Sequence, residues 1–313
     1  MANDGYKLLT YQAGRDSRAG VLVADQVFDA AKLTGNAAHA SVLGALNDWP
    51  RAGRALAQAA KRIAGGKSRV KGTPRARVKL LAPILYPGAI FCAGANYRDH
   101  AEEMARVQGT PLEKDQRELG LSPWHFIKTA RASVVGPETT VKLPAYSQMI
   151  DWEVELAAVI GRPAKNVTAE RALDFVAGYT IANDLSARDN GRRPHLPDSS
   201  PFKFDWLGQK CFDGSCPLGP WITPASEIRD PQTLGMKLWV NDELMQDSNT
   251  SRMIFSTAEQ IAQLSTRVTL RPGDLVLTGT PAGVGMARRR FLKPGETVRL
   301  WIEKIGELRN TLA

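Results

Sequence analysis

The chain of 313 residues has only three cysteines, Cys92, Cys211 and Cys216, and no CxxC pair. An odd count without close pairs argues against a disulfide framework and a thiolate zinc site, and for a reducing compartment. No apolar run is long enough to span a bilayer. The opening MANDGYKLLTYQ lacks the basic-then-apolar pattern of a secretory leader. The expectation is a cytoplasmic protein without membrane contact. Histidine is scarce (His39, His100, His125 and His195), and no HExxH is present.

Acidic residues are missing altogether between Asp48 and Asp99. Arg51, Arg54, Lys61, Arg62, Lys67, Arg69, Lys71, Arg75, Arg77 and Lys79 stand there unopposed, in a chain of formal net charge +9. Nucleic-acid binding is one reading. The same stretch has no aromatic residue between Trp49 and Tyr86, so it offers bases no stacking platform. A solvated helix face followed by a flexible linker is preferred, with no nucleic-acid partner expected. A positive field that draws in anionic substrates is a third reading.

The remaining composition is that of a globular protein with an ample core. Residues 6–29 read as short strands, YKLLTYQ and GVLVADQVFDA, separated by a polar loop from Gly14 to Gly20. AGRALAQAAKRIA (52–64) reads as a helix ended by Gly65-Gly66. A basic linker follows, and composition changes near residue 80. This divides the chain into a small N-terminal domain (1–80) and a larger domain (81–313). The larger part alternates many strands with helices expected at Tyr97–Arg106, Ala169–Phe175 and Ala258–Leu264. Ser256 and Glu259 form a capping box for the last helix. The fold class is α+β, mainly β. Asn190–Lys203, rich in proline and charge, reads as a long surface loop.

The most informative segment is Asp151-Trp152-Glu153-Val154-Glu155-Leu156. Strand alternation puts Asp151, Glu153 and Glu155 on one face. If solvated, that face needs only opposing lysines. If buried, it needs a cation, and a hard divalent ion with oxygen ligands would supply it. Asp184, at the end of GYTIANDL, could complete a set of three oxygen donors with Glu153 and Glu155, or it could cap a turn with Asn183. His100 and Glu103 share a helix face, either as a surface ion pair or as an oriented imidazole base. Lys128 and Lys210 follow apolar runs and either snorkel or line a cleft. Leu277–Gly285 (LTGTPAGVG) is a glycine-rich loop but neither a Walker loop nor a dinucleotide fingerprint. It could cradle a carboxylate or simply turn the chain.

In order and wording, AGANYRDHAEEM, FIKTARASVVGP, DWEVELAAVIG, GYTIANDLSARD, GQKCFDGSCPLGP, NDELMQDSNTSRMIFS and RPGDLVLTGTPAGVG resemble the fumarylacetoacetate hydrolase family. The resemblance runs from about residue 85 to the C-terminus. It implies a mixed β-sandwich roll with a small N-terminal α+β domain, usually a homodimer, using Mg²⁺ or Mn²⁺, with Ca²⁺ a further candidate. It implies Glu153, Glu155 and Asp184 as metal ligands and His100 with Glu103 as the water-activating dyad. Lys128 and Lys210 become active-site lysines, and Arg188, Gly279 and Thr280 become contacts of a small anionic substrate. Ala101–Pro123 becomes a lid, with Gly109, Pro111, Gly120 and Pro123 as hinges. The implied activity is hydrolysis of a C–C bond in a 2,4-dioxo acid, such as an acylpyruvate. Decarboxylation, isomerisation or hydration of a 2-oxo diacid is the alternative. There are two departures. The first points to altered specificity, and the second, His125, faces either the pocket or the lid. Where relatives place a glutamine after SARD, this chain has Asn190-Gly191 and an insertion containing His195. His125 replaces a more usual apolar residue.

Overall fold

The computed structural model describes residues 5–112, 114 and 116–313. Its central strand, Val154–Ile160, reads VELAAVI and is buried at every position. The unbroken apolar run follows from cover on both faces. Leu156, Ala158 and Ile160 join one core, with Leu238, Leu300 and Ile302. Ala157 and Val159 join another, with Val21, Leu46 and Leu56. The first core fills the space between two sheets. The second lies under the N-terminal helices.

Along the large sheet the order is Thr73–Pro74, Gln26–Asp29, Asp16–Val23, Lys7–Ala13, Cys216–Pro224, Val176–Asn183, Val154–Ile160, Leu275–Leu277, Ile90–Ala93 and His125–Lys128. The smaller sheet runs Glu243–Asn249, Gly235–Val240, Thr297–Ile302, Gly306–Leu312 and Thr140–Val141. Most pairings are antiparallel, but Leu275–Leu277 runs parallel to Ile90–Ala93. This is the α+β roll expected.

Several local expectations change. The loop set at Gly14–Gly20 shrinks to a turn, since Ala13 already pairs with Asp16. Gly14, at φ 64°, supplies the left-handed conformation that a tight hairpin demands. Asp16 and Ser17 are therefore exposed strand residues rather than loop. The first long helix starts earlier, at Trp49, with Pro50 in its first turn, and ends at Ala64. Two short helices precede it, Ala30–Thr34 and Val42–Asn47, capped by the side chains of Asp29 and Ser41. The capping box of Ser256 and Glu259 forms at the head of Thr257–Arg267.

Lys67, Arg69, Lys71, Arg77 and Lys79 are exposed, on a connection that also carries the short strand Thr73–Pro74 and a 3-10 turn, Arg75–Arg77. The division near residue 80 falls inside one continuous sheet: Leu8 pairs with Ile222, and Tyr11 with Leu80. No helix among the described residues is long and apolar enough to cross a membrane.

Candidate active site

The central strands end together at one edge of the large sheet. Val154 pairs with Asn183, so the residues on either side of that register, Glu153 and Asp184, meet. The Asp184 N–H donates to the Glu153 carbonyl at 3.0 Å, and the Glu153 N–H to Asn183 Oδ1 at 3.0 Å. Ligand atoms of Glu153, Glu155 and Asp184 lie within 4.8 Å of one another, and all three residues are buried. The solvated reading of this face is excluded.

The expected row of three carboxylates is broken, however. Ile150–Asp151 is a separate short strand that pairs with Ser186–Ala187, and regular strand resumes only at Val154. Asp151 turns away and accepts the N–H groups of Gly285 at 2.6 Å and Met286 at 3.0 Å. A charge held by backbone donors at the start of Gly285–Arg288 needs no alternation to explain it.

Cations interleave the acids. Lys210 Nζ lies 2.8 Å from both Glu153 Oε2 and Asp184 Oδ2. Lys128 Nζ donates to Asp184 Oδ1 at 2.6 Å and to the Leu185 carbonyl at 3.0 Å. Arg188 donates to Asp151 Oδ2 at 2.8 Å and also bonds Glu153. Four carboxylates thus face three cations. Glu155 is the one left over. Among the described residues it has no ion-pair partner, and its Oε2 accepts the Gly279 N–H at 2.7 Å.

The titration directions follow. Burial, then the charges of Asp184 and Glu153, pushes the Glu155 carboxyl well above its usual range. Burial acts the same way on Glu153, but Lys210 and then Arg188 overrule it and hold that carboxyl low. Lys210 stays protonated because Asp184 and Glu153 outweigh its desolvation. Three buried oxygen donors with one uncompensated charge fit a hard divalent cation.

His100 and Glu103 stand on the helix Arg98–Gln108. Their closest approach, Nδ1 to Oε2, is 3.9 Å, which is ion-pair range and longer than a hydrogen bond. The buried His100 Nδ1 has no hydrogen-bond partner. Glu103 Oε2 instead accepts the Gly283 N–H at 2.8 Å, which ties the helix to the glycine loop. Burial would raise the Glu103 carboxyl, but His100 and the Gly283 N–H together lower it.

The glycine loop is fixed from the second sheet. Gln246 accepts the Val154 N–H at 3.0 Å and donates to Thr280 Oγ1 at 2.9 Å. The Thr280 hydroxyl donates to the Val154 carbonyl at 3.0 Å. Its single proton is committed there, so meeting a substrate carboxylate requires it to leave Val154.

These groups border a cavity of about 570 Å³ lined by His100, Glu153, Glu155, Arg188, Lys210 and Thr280. Of the expected site residues, Glu103, Lys128, Asp184 and Gly279 do not line it. The Lys128 side chain is fully buried behind Asp184, and it positions that carboxylate rather than facing the cavity. Gly279 likewise acts through Glu155.

The lid region contributes Lys114, Gln116, Leu119, Leu121 and Ser122 to the cavity. Residues 113 and 115 of the expected lid lie outside the described residues. Gly109 and Gly120 both adopt positive φ, at 65° and 69°. Within the segment expected to form a lid, Arg117 pairs with Glu259 at 2.8 Å and donates to the Ile254 carbonyl at 2.8 Å.

Among the cavity residues that sequence reasoning passed over are Trp124, Phe126, Trp206 and Gln209. Gln209 had a signal. A Cβ at Gly191 would lie 2.4 Å from its Oε1, so Gly191 makes room for an amide supplied from further along the chain. His125 does not border this cavity. The Asn190–Lys203 interval is the irregular loop expected, held by the bridge of Arg192 with Phe204.

Comparison with known proteins agrees with this picture. The model of the fumarylacetoacetate hydrolase C-terminal domain matches residues 89–313. Oxaloacetate tautomerase fahd2, mitochondrial, of Xenopus laevis is 44% identical over 243 residues, covering 75% of this chain and 69% of the relative. The fumarylacetoacetate hydrolase of Exiguobacterium antarcticum superposes with a TM-score of 0.76 at 30% identity, over 98% of this chain and 99% of that one. Maleylpyruvate hydrolase of Sphingobium sp. SYK-6, solved with manganese(II) and pyruvate, gives 0.74 at 30% identity over 98% of each chain. The likeness extends through the N-terminal part as well as the motif-bearing part, and the chain belongs to the fumarylacetoacetate hydrolase family.

Proposed function

We propose that this chain is a divalent-metal-dependent hydrolase that cleaves a C–C bond in a 2,4-dioxo acid, releasing pyruvate or a related 2-oxo acid. One observation carries the reading: His100, backed by Glu103 and with its Nδ1 unpaired, borders the same cavity as Glu153 and Glu155. Glu153, Glu155 and Asp184 would hold Mg²⁺ or Mn²⁺, which when bound supplies Lewis-acid polarisation of the 2-oxo acid end. The manganese and pyruvate in the Sphingobium relative support that assignment.

The residues then divide the work. Glu103, ionised, closes on the Nδ1–H of His100 and fixes the tautomer whose Nε2 is free to act as a base. Such bonds are commonly long before substrate binds. His100 Nε2 takes a proton from water, and the hydroxide adds to the C4 carbonyl. Lys210 steadies the oxyanion. The C3–C4 electron pair passes into the enolate of the leaving 2-oxo acid, and the proton held on His100 Nε2 passes to C3, restoring the base. Arg188, Thr280 and the Gln209 amide orient the acid end.

A second reading keeps the enolate and drops the water. The 44% identity with an oxaloacetate tautomerase favours it. His100 would then move a proton between C3 and the 2-oxygen of a 2-oxo diacid. Decarboxylation of such a diacid belongs to the same alternative, while hydration of an unsaturated one would keep the enolate and the water. A panel of acylpyruvates and 2-oxo diacids with Mg²⁺ or Mn²⁺ separates these readings. It should score pyruvate, carbon dioxide and keto–enol exchange individually. Pyruvate from acylpyruvates is the expected result, and exchange alone would replace hydrolase by tautomerase. We further propose a cytoplasmic homodimer with no nucleic-acid partner, tested by light scattering and by DNA binding at low salt.

A further inference from the structure

From the cavity wall we propose that the substrate's distal group is aromatic, bound in a subsite formed by Trp124, Phe126 and Trp206. The inference rests on the proposed 2-oxo acid chemistry and adds what lies beyond C4.

The three rings form one surface that starts at the acidic cluster. Lys210 Nζ, which touches Glu153 and Asp184, lies 4.9 Å from the centroid of the Phe126 ring. Phe126 stacks on Trp206 at 5.7 Å with an 18° tilt, and Trp206 meets Trp124 at 4.8 Å. A ligand anchored at the cluster and extended toward the opening therefore passes this group of rings, in which Trp206 is also stacked on Phe204 at 6.4 Å. Trp124 and Trp206 remain 42% and 41% exposed, unusually open for such large rings. The arrangement is built rather than incidental. A Cβ at Gly94 would come within 2.2 Å of the Trp124 ring, so the sequence keeps that space clear. Trp206 opens a helical turn whose cap, Asp205, accepts the Gly208 N–H at 2.8 Å and pairs with Arg193 of the inserted loop at 2.7 Å.

Charge argues the same way. Lys128, Lys210 and Arg188 are all committed to carboxylates. Among the described residues that line the cavity, the cations are Lys210, which lies over Phe126 while paired with Glu153 and Asp184, Arg188 on the acids, and Lys114 of the 101–123 segment. Aromatic pairs prefer the offset and tilted contacts that such a wall offers an aryl ring.

The test compares 4-phenyl-2-oxobutanoate with 2-oxobutanoate, neither of which has a 4-oxo group to cleave, by calorimetry on the Mn²⁺-loaded enzyme. The phenyl compound should bind about tenfold tighter. Trp206→Ala should erase most of that ratio and Trp206→Phe restore it, while Leu207→Ala, exposed outside the cavity, should leave it alone. In turnover, benzoylpyruvate should exceed acetylpyruvate in kcat/KM by a similar factor. A phenyl preference without turnover of either would sustain the subsite and remove the hydrolase reading. Turnover of acetylpyruvate with no phenyl preference would overturn the subsite alone. Two other results would also overturn it: a distal carboxylate preferred through Lys114, or Trp206→Ala acting only by changing oligomeric state.

Discussion

The backbone N–H of Gly279 donates to Glu155 Oε2 at 2.7 Å. It is the one hydrogen bond found for a carboxylate that has no ion-pair partner among the described residues. Gly279 sits at φ 94°, and a Cβ there would lie 3.0 Å from that of Asn96. Gly279→Ala should therefore lose stability by about 1–3 kcal/mol from backbone strain. By misplacing Glu155 it should also weaken Mn²⁺ binding. Thermal melts and Mn²⁺ titration check the two effects separately.

Glu103→Gln retains the shape of the dyad and removes its charge. Activity should fall toward that of His100→Ala, whose loss is expected to be about two to four orders of magnitude. Mn²⁺ affinity should be unchanged in both variants. Near-normal kcat in His100→Ala would sink the assigned base.

Asp151 and Arg188 form a pair whose carboxylate is wholly buried. Asp151→Ala leaves the guanidinium short of one partner and strands the Gly285 and Met286 N–H groups. Breaking such a pair costs about 3–5 kcal/mol. Urea unfolding should register that loss, and kcat/KM should fall as Arg188 is released over the cavity.

His125 provides a pH test away from the acids. Burial lowers its pKa to about 4, partly offset by Gln260, and its Nε2 lacks a hydrogen-bond partner. The folded chain keeps the ring neutral, while the unfolded chain protonates it near 6.5. Its contribution is thus complete above pH 6.5 and is lost as pH falls from there toward 4. The slope should approach one proton, about 1.4 kcal/mol per pH unit. His125→Leu should flatten the stability profile in that window.

We propose that residues 1–80 form a small N-terminal domain and that catalysis lies in 81–313, where every candidate site residue falls. Leu8, Val21 and Leu56 nevertheless share a core with Val159 and Ile222. Expressed alone, 81–313 should keep the ligand set yet expose that apolar face. Aggregation or a lowered melting temperature is the expected outcome, and an undiminished melting temperature would speak for independent folding.

The acidic triad was legible because strand alternation and a strand end are local features, and the register of Val154 with Asn183 merely joins them. Asp151 was misplaced for the same reason. Alternation cannot show that the strand breaks at Trp152 and that Asp151 answers to backbone donors some 130 residues later. Lys128 and Lys210 read identically as lysines after apolar runs. Only packing sends one behind Asp184 and the other to the cavity. In the aromatic wall Trp124 and Phe126 are two residues apart in the chain, but nothing local joins them to Trp206, which meets them solely by tertiary contact.

The glutamates lie at the head of a strand covered on both faces, the part of such a molecule least prone to local opening. The rings, the lid and the Asn190–Lys203 loop occupy its periphery. An engineer could thus retarget this scaffold by altering Trp124 or Trp206 without disturbing the reactive centre.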